Sequence, residues 1–170
     1  LIGTRSTANI RDPLPFNAGG PTKALDDQGN QKILVGSSHV PYSTKPATSG
    51  PHWAIRPDQN DLAKYGSPVK WGKYDEEIPD EALLHNLSHG GIGIHYDCEN
   101  ECKDLIRKLD KLRAGDDKQI VLSPYSGMKS KIALTSWRHV QYLDDFDESA
   151  INEFIKAYRD RAPESWIGNY

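Results

Sequence analysis

The hydrophobic period switches repeatedly after residue 91, and this limits the available folds. Ile92, Ile94 and Tyr96 alternate with Gly93, His95 and Asp97. Residues 91–97 are therefore predicted to form a strand with the isoleucines on one face and His95 on the other. Leu105, Ile106, Leu109 and Leu112 then recur at helical spacing, with Gly115 following, which predicts an amphipathic helix over about 102–114. Residues 120–123 and 131–137 read as strands joined through Pro124-Tyr125-Ser126-Gly127, and Val140, Tyr142 and Leu143 extend the second towards 143. Ile151, Phe154, Ile155 and Tyr158 form a second amphipathic helix, with Asp147 as N-cap and Pro163 beyond its end. The predicted order is β-α-β-β-α, an α+β (or α/β) single domain in which both helices cover one small sheet. A thioredoxin-like topology fits that order. The redox signature of that fold, two cysteines separated by two residues, is absent, because Cys98 and Cys102 are separated by three.

Periodicity is weaker before residue 91. Residues 1–40 read as an irregular N-terminal arm with one strand expected at 32–36, residues 41–163 as the globular domain, and residues 164–170 as an aromatic tail carrying Trp166 and Tyr170. Residues 54–79 are interrupted by Pro57, Gly66, Pro68, Gly72 and Pro79. An irregular stretch of that length points to function or to surface covering. Ala82, Leu83, Leu84 and Leu87 precede Gly90-Gly91, which suits either a short helix ended by glycine or a strand entering a turn.

A chain of 170 residues with formal charge −3 has no basic surplus for nucleic acid or an anionic membrane. No apolar run approaches the roughly 20 residues of a membrane span. Leu1 opens the chain and Met128 is the only methionine, so a segment upstream is expected, such as a signal peptide or N-terminal anchor, with an extracytoplasmic location. Cys98 and Cys102 agree with an oxidising compartment as a local disulfide; a thiolate metal site or redox pair is the other reading.

His85 and His89 lie four apart, a spacing that on a helix stacks two imidazoles on one face within reach of one metal ion. A hydrogen-bonded structural pair beside the Gly-Gly turn is the competing reading. Asn86 stands where a zinc protease of this spacing needs its glutamate base, so a metalloprotease reading loses its base. His52 follows the turn residues Gly50-Pro51, and His39 and His139 read as surface or strand-edge residues. Met128 stands in a polar loop; it is either a soft thioether ligand, which would favour copper, or a filler of a gap in the core.

Taken in order, Thr48-Ser49-Gly50-Pro51-His52-Trp53, His85-Asn86-Leu87-Ser88-His89-Gly90-Gly91 through Ile94-His95-Tyr96, and Ile132-Ala133-Leu134-Thr135-Ser136-Trp137 resemble the family called domain of unknown function 3105, from about residue 41 to 163. The resemblance implies secreted or membrane-anchored bacterial or archaeal proteins. It also implies His52, His85 and His89 as motif histidines and Tyr96 and Trp137 as motif aromatics. Arg138-His139 after the tryptophan departs from the pattern, and residues 1–40 and the cysteine pair lie outside it.

The leading expectation is an extracytoplasmic copper-binding protein with His52, His85, His89 and Met128 as ligands and Tyr96, Asn86 and Ser49 as supports of the imidazoles. Zinc is the alternative ion. A metal-dependent enzyme at the same histidines is a second function class, although no general base stands at a diagnostic spacing. An accessory subunit that binds a protein partner through the arm or the tail is a third.

Overall fold

The computed structural model describes residues 20–165 other than 99 and 101. Strands β1 (Lys32–Ile33) and β2 (His52–Trp53) pair in parallel, with Lys32 opposite His52. The main sheet contains β3 (Gly72–Lys73), β4 (Ile92–Tyr96), β5 (Ile120–Pro124), β6 (Ile132–Ser136) and β7 (His139–Leu143), in the order β3-β5-β4-β6-β7. The helices are α1 (Asp80–Ser88), α2 (Lys103–Gly115) and α3 (Glu148–Tyr158). Central β4 runs parallel to β5 and antiparallel to β6. A β-α-β unit followed by an antiparallel hairpin and a helix is the α+β arrangement expected from the sequence. No helix separates β5 from β6 among the described residues.

The sheet buries both faces by side-chain parity. Ile92 and Ile94 join Ile120, Leu122, Ile132 and Leu134 against Leu109 of α2 and Ile151, Phe154 and Ile155 of α3. Val121, on the opposite face, packs with Ala82 and Leu83 of α1 and with Trp53, Val69 and Ile78. The amphipathic helices therefore take one face. The irregular segments and α1 take the other, so the long stretch 54–79 serves as the cover of the second face.

The open choice over residues 82–87 resolves as a helix. Asp80 and Glu81 occupy its first turn, where acidic groups suit the helix dipole. At the other end the Gly90 N–H donates to Leu87 O, the Gly91 N–H donates to Asn86 O, and Gly90 takes φ +89°, a glycine C-terminal closure. A Cβ on Gly91 would stand 2.5 Å from Trp71 Cζ3 and 2.8 Å from Asn86 O. The Gly-Gly pair thus turns the chain from α1 directly into β4.

Two expectations are corrected. Residues 131–143 do not form one strand; β6 and β7 make a hairpin whose last pair is Ser136 with His139. The two-residue turn puts Arg138 at φ 66° without the glycine or asparagine that normally signals it. Bonds from distant segments hold it instead: Arg138 N–H donates to Thr48 O, Leu25 N–H to Arg138 O, and Arg138 Nε to Leu25 O. The strand expected over 32–36 ends at Ile33, because Ser37 N–H donates to Leu34 O and closes a turn. The N-cap expectation holds, with the Ala150 N–H donating to Asp147 Oδ1.

His95 lies on the α1 side of the sheet, 1% exposed, with Nε2 2.9 Å from Thr135 Oγ1. Burial pushes its pKa down to about 3. In the unfolded chain a histidine holds its proton below about 6.5. Between those values only the unfolded state binds the proton, so stability is intact above about 6.5 and is lost as pH falls towards 3. Urea titrations across that window are expected to show this acid slope. His95→Gln is expected to remove up to one proton from it, and an unchanged slope would exclude His95 as its source.

Candidate metal centre

The site is assembled where α1 ends. Helical spacing brings His85 and His89 onto one face with ring centroids 4.9 Å apart, and β2 places the His52 ring 5.2 Å from that of His85. His52 is fully buried, and His85 and His89 are nearly so. Glu164 arrives from the segment after α3, where its N–H donates to Ser88 O. One ligand atom from each of His85, His89 and Glu164 lies within 4.8 Å of the others. These three residues form a group able to hold a metal ion. Binding would draw the atoms inward by about half an ångström, since two ligands of one transition ion sit at most about 4.2 Å apart.

Backbone carbonyls set the tautomers. His52 Nδ1 donates to Gly50 O at 2.9 Å, and His85 Nδ1 donates to Trp53 O at 2.8 Å. A carbonyl only accepts, so both Nδ1 atoms carry hydrogen and both Nε2 atoms keep their lone pairs. His52 Nε2 is buried with no hydrogen-bond partner among the described residues. This orientation by the far ring nitrogen is how proteins prepare imidazoles for metals. Trp137 stands edge-on to His52 at 6.2 Å and is 2% exposed, a wall on the apolar side.

All three imidazoles are neutral at ordinary pH. Burial lowers His85 to about 4, helped by His52 and His89. Burial also lowers His52, and it outweighs the neighbouring Glu164 carboxylate at His89. The 3.7 Å contact between His89 Nε2 and Glu164 Oε2 is consequently not an ion pair. For Glu164, burial works against ionisation, but hydrogen bonds from Lys32 at 3.1 Å and the Ser88 hydroxyl at 2.9 Å prevail and keep it anionic. The group offers two neutral imidazoles and one carboxylate, with the neutral His52 ring beside His85.

Met128 is not brought to the histidines. It lies in the β5–β6 loop with its N–H donating to Asp97 Oδ2, beyond the far end of β4. The reason is topological: His89 precedes β4 and Asp97 follows it. Tyr96 also sits at that far end, within the apolar cluster under α2 and α3. Asn86 is fully buried but serves another segment, with Oδ1 accepting from Val69 N–H and Nδ2 donating to Val69 O. Ser49 Oγ accepts from Gln28 N–H and steadies the turn whose Gly50 carbonyl holds His52. Ser67, beside His85 Nδ1 at 3.4 Å, donates to Trp53 O and is the support that sequence reasoning missed.

Glu164 was also beyond local reading, because no spacing ties it to the histidines and it opens the stretch read as a tail. Residues 166–170 lie outside the described residues. His139 stacks on Tyr158 at 3.9 Å and bonds Thr22 through Nδ1, a packing role. Cys98 and Cys102 are joined as a disulfide. No helix among the described residues is long and apolar enough to cross a membrane.

No curated protein and no solved structure matches the chain. The family described as Protein of unknown function (DUF3105) matches residues 35–167, a span that takes in His52, His85, His89, Glu164 and the Trp137 wall. The chain belongs to this family.

Proposed function

We propose that the protein is an extracytoplasmic metal-binding protein that holds one divalent transition ion, copper(II) in preference to zinc, on His52, His85, His89 and Glu164. The observation that carries this reading is the pair of buried imidazoles, His52 and His85, whose Nδ1 hydrogens are fixed on backbone carbonyls. A structural histidine in a dry interior uses both nitrogens where it can; His52 Nε2 is buried with no hydrogen-bond partner among the described residues, and the His85 ring, itself grouped with His89 and Glu164, lies 5.2 Å from the His52 ring.

The ligand chemistry favours the divalent state. A thioether would favour Cu(I), but Met128 is elsewhere, and the oxygen of Glu164 replaces it. For nitrogen and oxygen ligands Cu(II) binds more tightly than Zn(II). A disulfide on the same chain suits the oxidising compartments where Cu(II) prevails.

Titration of metal-free protein with Cu(II) and Zn(II) against a chromogenic chelator tests this. One equivalent of each ion is expected, with Cu(II) the tighter, and an electron paramagnetic resonance spectrum showing nitrogen hyperfine structure. Glu164→Gln is expected to weaken both ions and to leave the nitrogen pattern. Absence of stoichiometric binding by either ion would reject the proposal.

A further inference from the structure

A second cluster of metal-binding atoms lies at the opposite end of β4. Cys98, Cys102 and Met128 line one groove of about 630 Å³, together with Asp97, Leu105 and Lys131. These are the only methionine and both cysteines of the chain. Met128 belongs to none of the three apolar clusters, so core packing does not account for it. Its position is tied to the cysteines by a single residue. Asp97, the neighbour of Cys98, accepts the backbone N–H groups of Gly127 at 2.9 Å and Met128 at 3.0 Å through Oδ2. Cys102 is the N-cap residue of α2, where the helix dipole favours a thiolate. Cys98 and Cys102 are joined as a disulfide, so both side chains converge on one point in the lining of the groove.

We propose that Cys98, Cys102 and Met128 form a three-sulfur site for Cu(I) when the disulfide is reduced. A dithiol reductant supplies two electrons and two protons, breaks the S–S bond to give two thiols, and is itself oxidised to its disulfide. Cu(I) then displaces the two thiol protons and bonds both thiolates, and the Met128 thioether donates a third, neutral pair. Soft sulfur selects Cu(I). A disulfide oxidant then takes two electrons from the thiolates and two protons from water, leaves as its dithiol, and re-forms the Cys98–Cys102 S–S bond, which removes both thiolate ligands and releases the Cu(I) ion. The site is separate from the histidine cluster and does not rest on it.

The test uses the full chain carrying His85→Ala and His89→Ala, which silences the first site. The protein is reduced with dithiothreitol, desalted without oxygen, and titrated with Cu(I) against a bicinchoninate competitor. Reduced protein is expected to retain one Cu(I) with ultraviolet thiolate-to-copper absorption, and oxidised protein none. Cys98→Ser with Cys102→Ser is expected to abolish retention. Met128→Leu, a change in a half-buried loop residue, is expected to fold normally and weaken Cu(I) by at least about tenfold, the loss that even a partner outside the ligand set produces. Equal Cu(I) retention by oxidised and reduced chains, or an unchanged affinity in Met128→Leu, would overturn the three-sulfur site.

Discussion

His85→Ala is expected to lower Cu(II) affinity by more than the roughly 10–100-fold that follows loss of an outer partner of a metal site, while the chain still folds. The imidazole is the central member of the cluster, with rings on both sides at 4.9 and 5.2 Å. Removing it leaves His52 and His89 without the ligand that bridges them. The fold tolerates the change because the carbonyl freed by it, Trp53 O, still accepts the Ser67 hydroxyl at 2.6 Å. The usual cost of a stranded buried acceptor is thereby avoided. Competition titration checks the affinity. Thermal unfolding supplies an independent readout: a ligand at a thousand times its Kd stabilises the native state by about 4 kcal/mol. That increment is expected in the parent chain with Cu(II) and is expected to fall to about 1.4 kcal/mol or less in His85→Ala at the same Cu(II) concentration. An equal rise in both would exclude His85 as a ligand.

Asn86→Ala is expected to act on the fold first and on the site second. The amide closes two bonds to the backbone of Val69, at 2.9 and 2.8 Å, inside a wholly buried environment. Truncation strands one N–H and one C=O, each costing about 1–3 kcal/mol, so a loss of about 3 kcal/mol or more is expected. Urea denaturation should report a lower midpoint with an unchanged slope. The damage spreads to metal binding because Ser67, two residues before Val69, helps seat the Trp53 carbonyl on which His85 depends. A variant of normal stability would show that residues 67–69 are held by other means.

The readable and unreadable parts of the molecule divide by the range of the forces involved. Alternation at Ile92 and Ile94 and the helical recurrence of Leu105, Leu109 and Ile151 are imposed by burial on one face, and the structure places each of them in the predicted element. The Trp137-Arg138 turn was hidden because its left-handed residue is held by bonds to Leu25 and Thr48, which no local composition encodes. The pairing of His85 with His89 was legible through helical spacing once residues 80–88 were helical. The Lys32, Glu164 and Ser88 contacts join segments far apart in sequence, and no short motif records such a meeting. Asn86 and Met128 were noticed for their chemistry, but that chemistry serves other places, since side-chain type does not reveal direction.

Buried carboxyl chemistry opposes the acid sensitivity of the histidines at one point. Burial raises Asp80 to about 6, against hydrogen bonds from the Tyr125 hydroxyl and the Ala47 N–H. Its proton is held in the folded state and released in the unfolded one between about 4 and 6, so this group loses stabilising effect as pH rises through that window. Asp80→Asn is expected to steepen the acid slope set by His95, as read by the same urea titrations; a shallower slope would reverse the assignment.

The order in which a chain is made gives Glu164 a further meaning. Its backbone N–H docks on Ser88 O and its carboxylate joins the imidazoles of His85 and His89 at the end of α1. Synthesis delivers those imidazoles before the carboxylate, which follows α3. On the proposed function, a nascent chain therefore offers an ion only imidazoles until the sheet and its helices are in place. On the same proposal, tight loading is a mark of finished folding: a bound ion reports that residues far apart in the sequence have met.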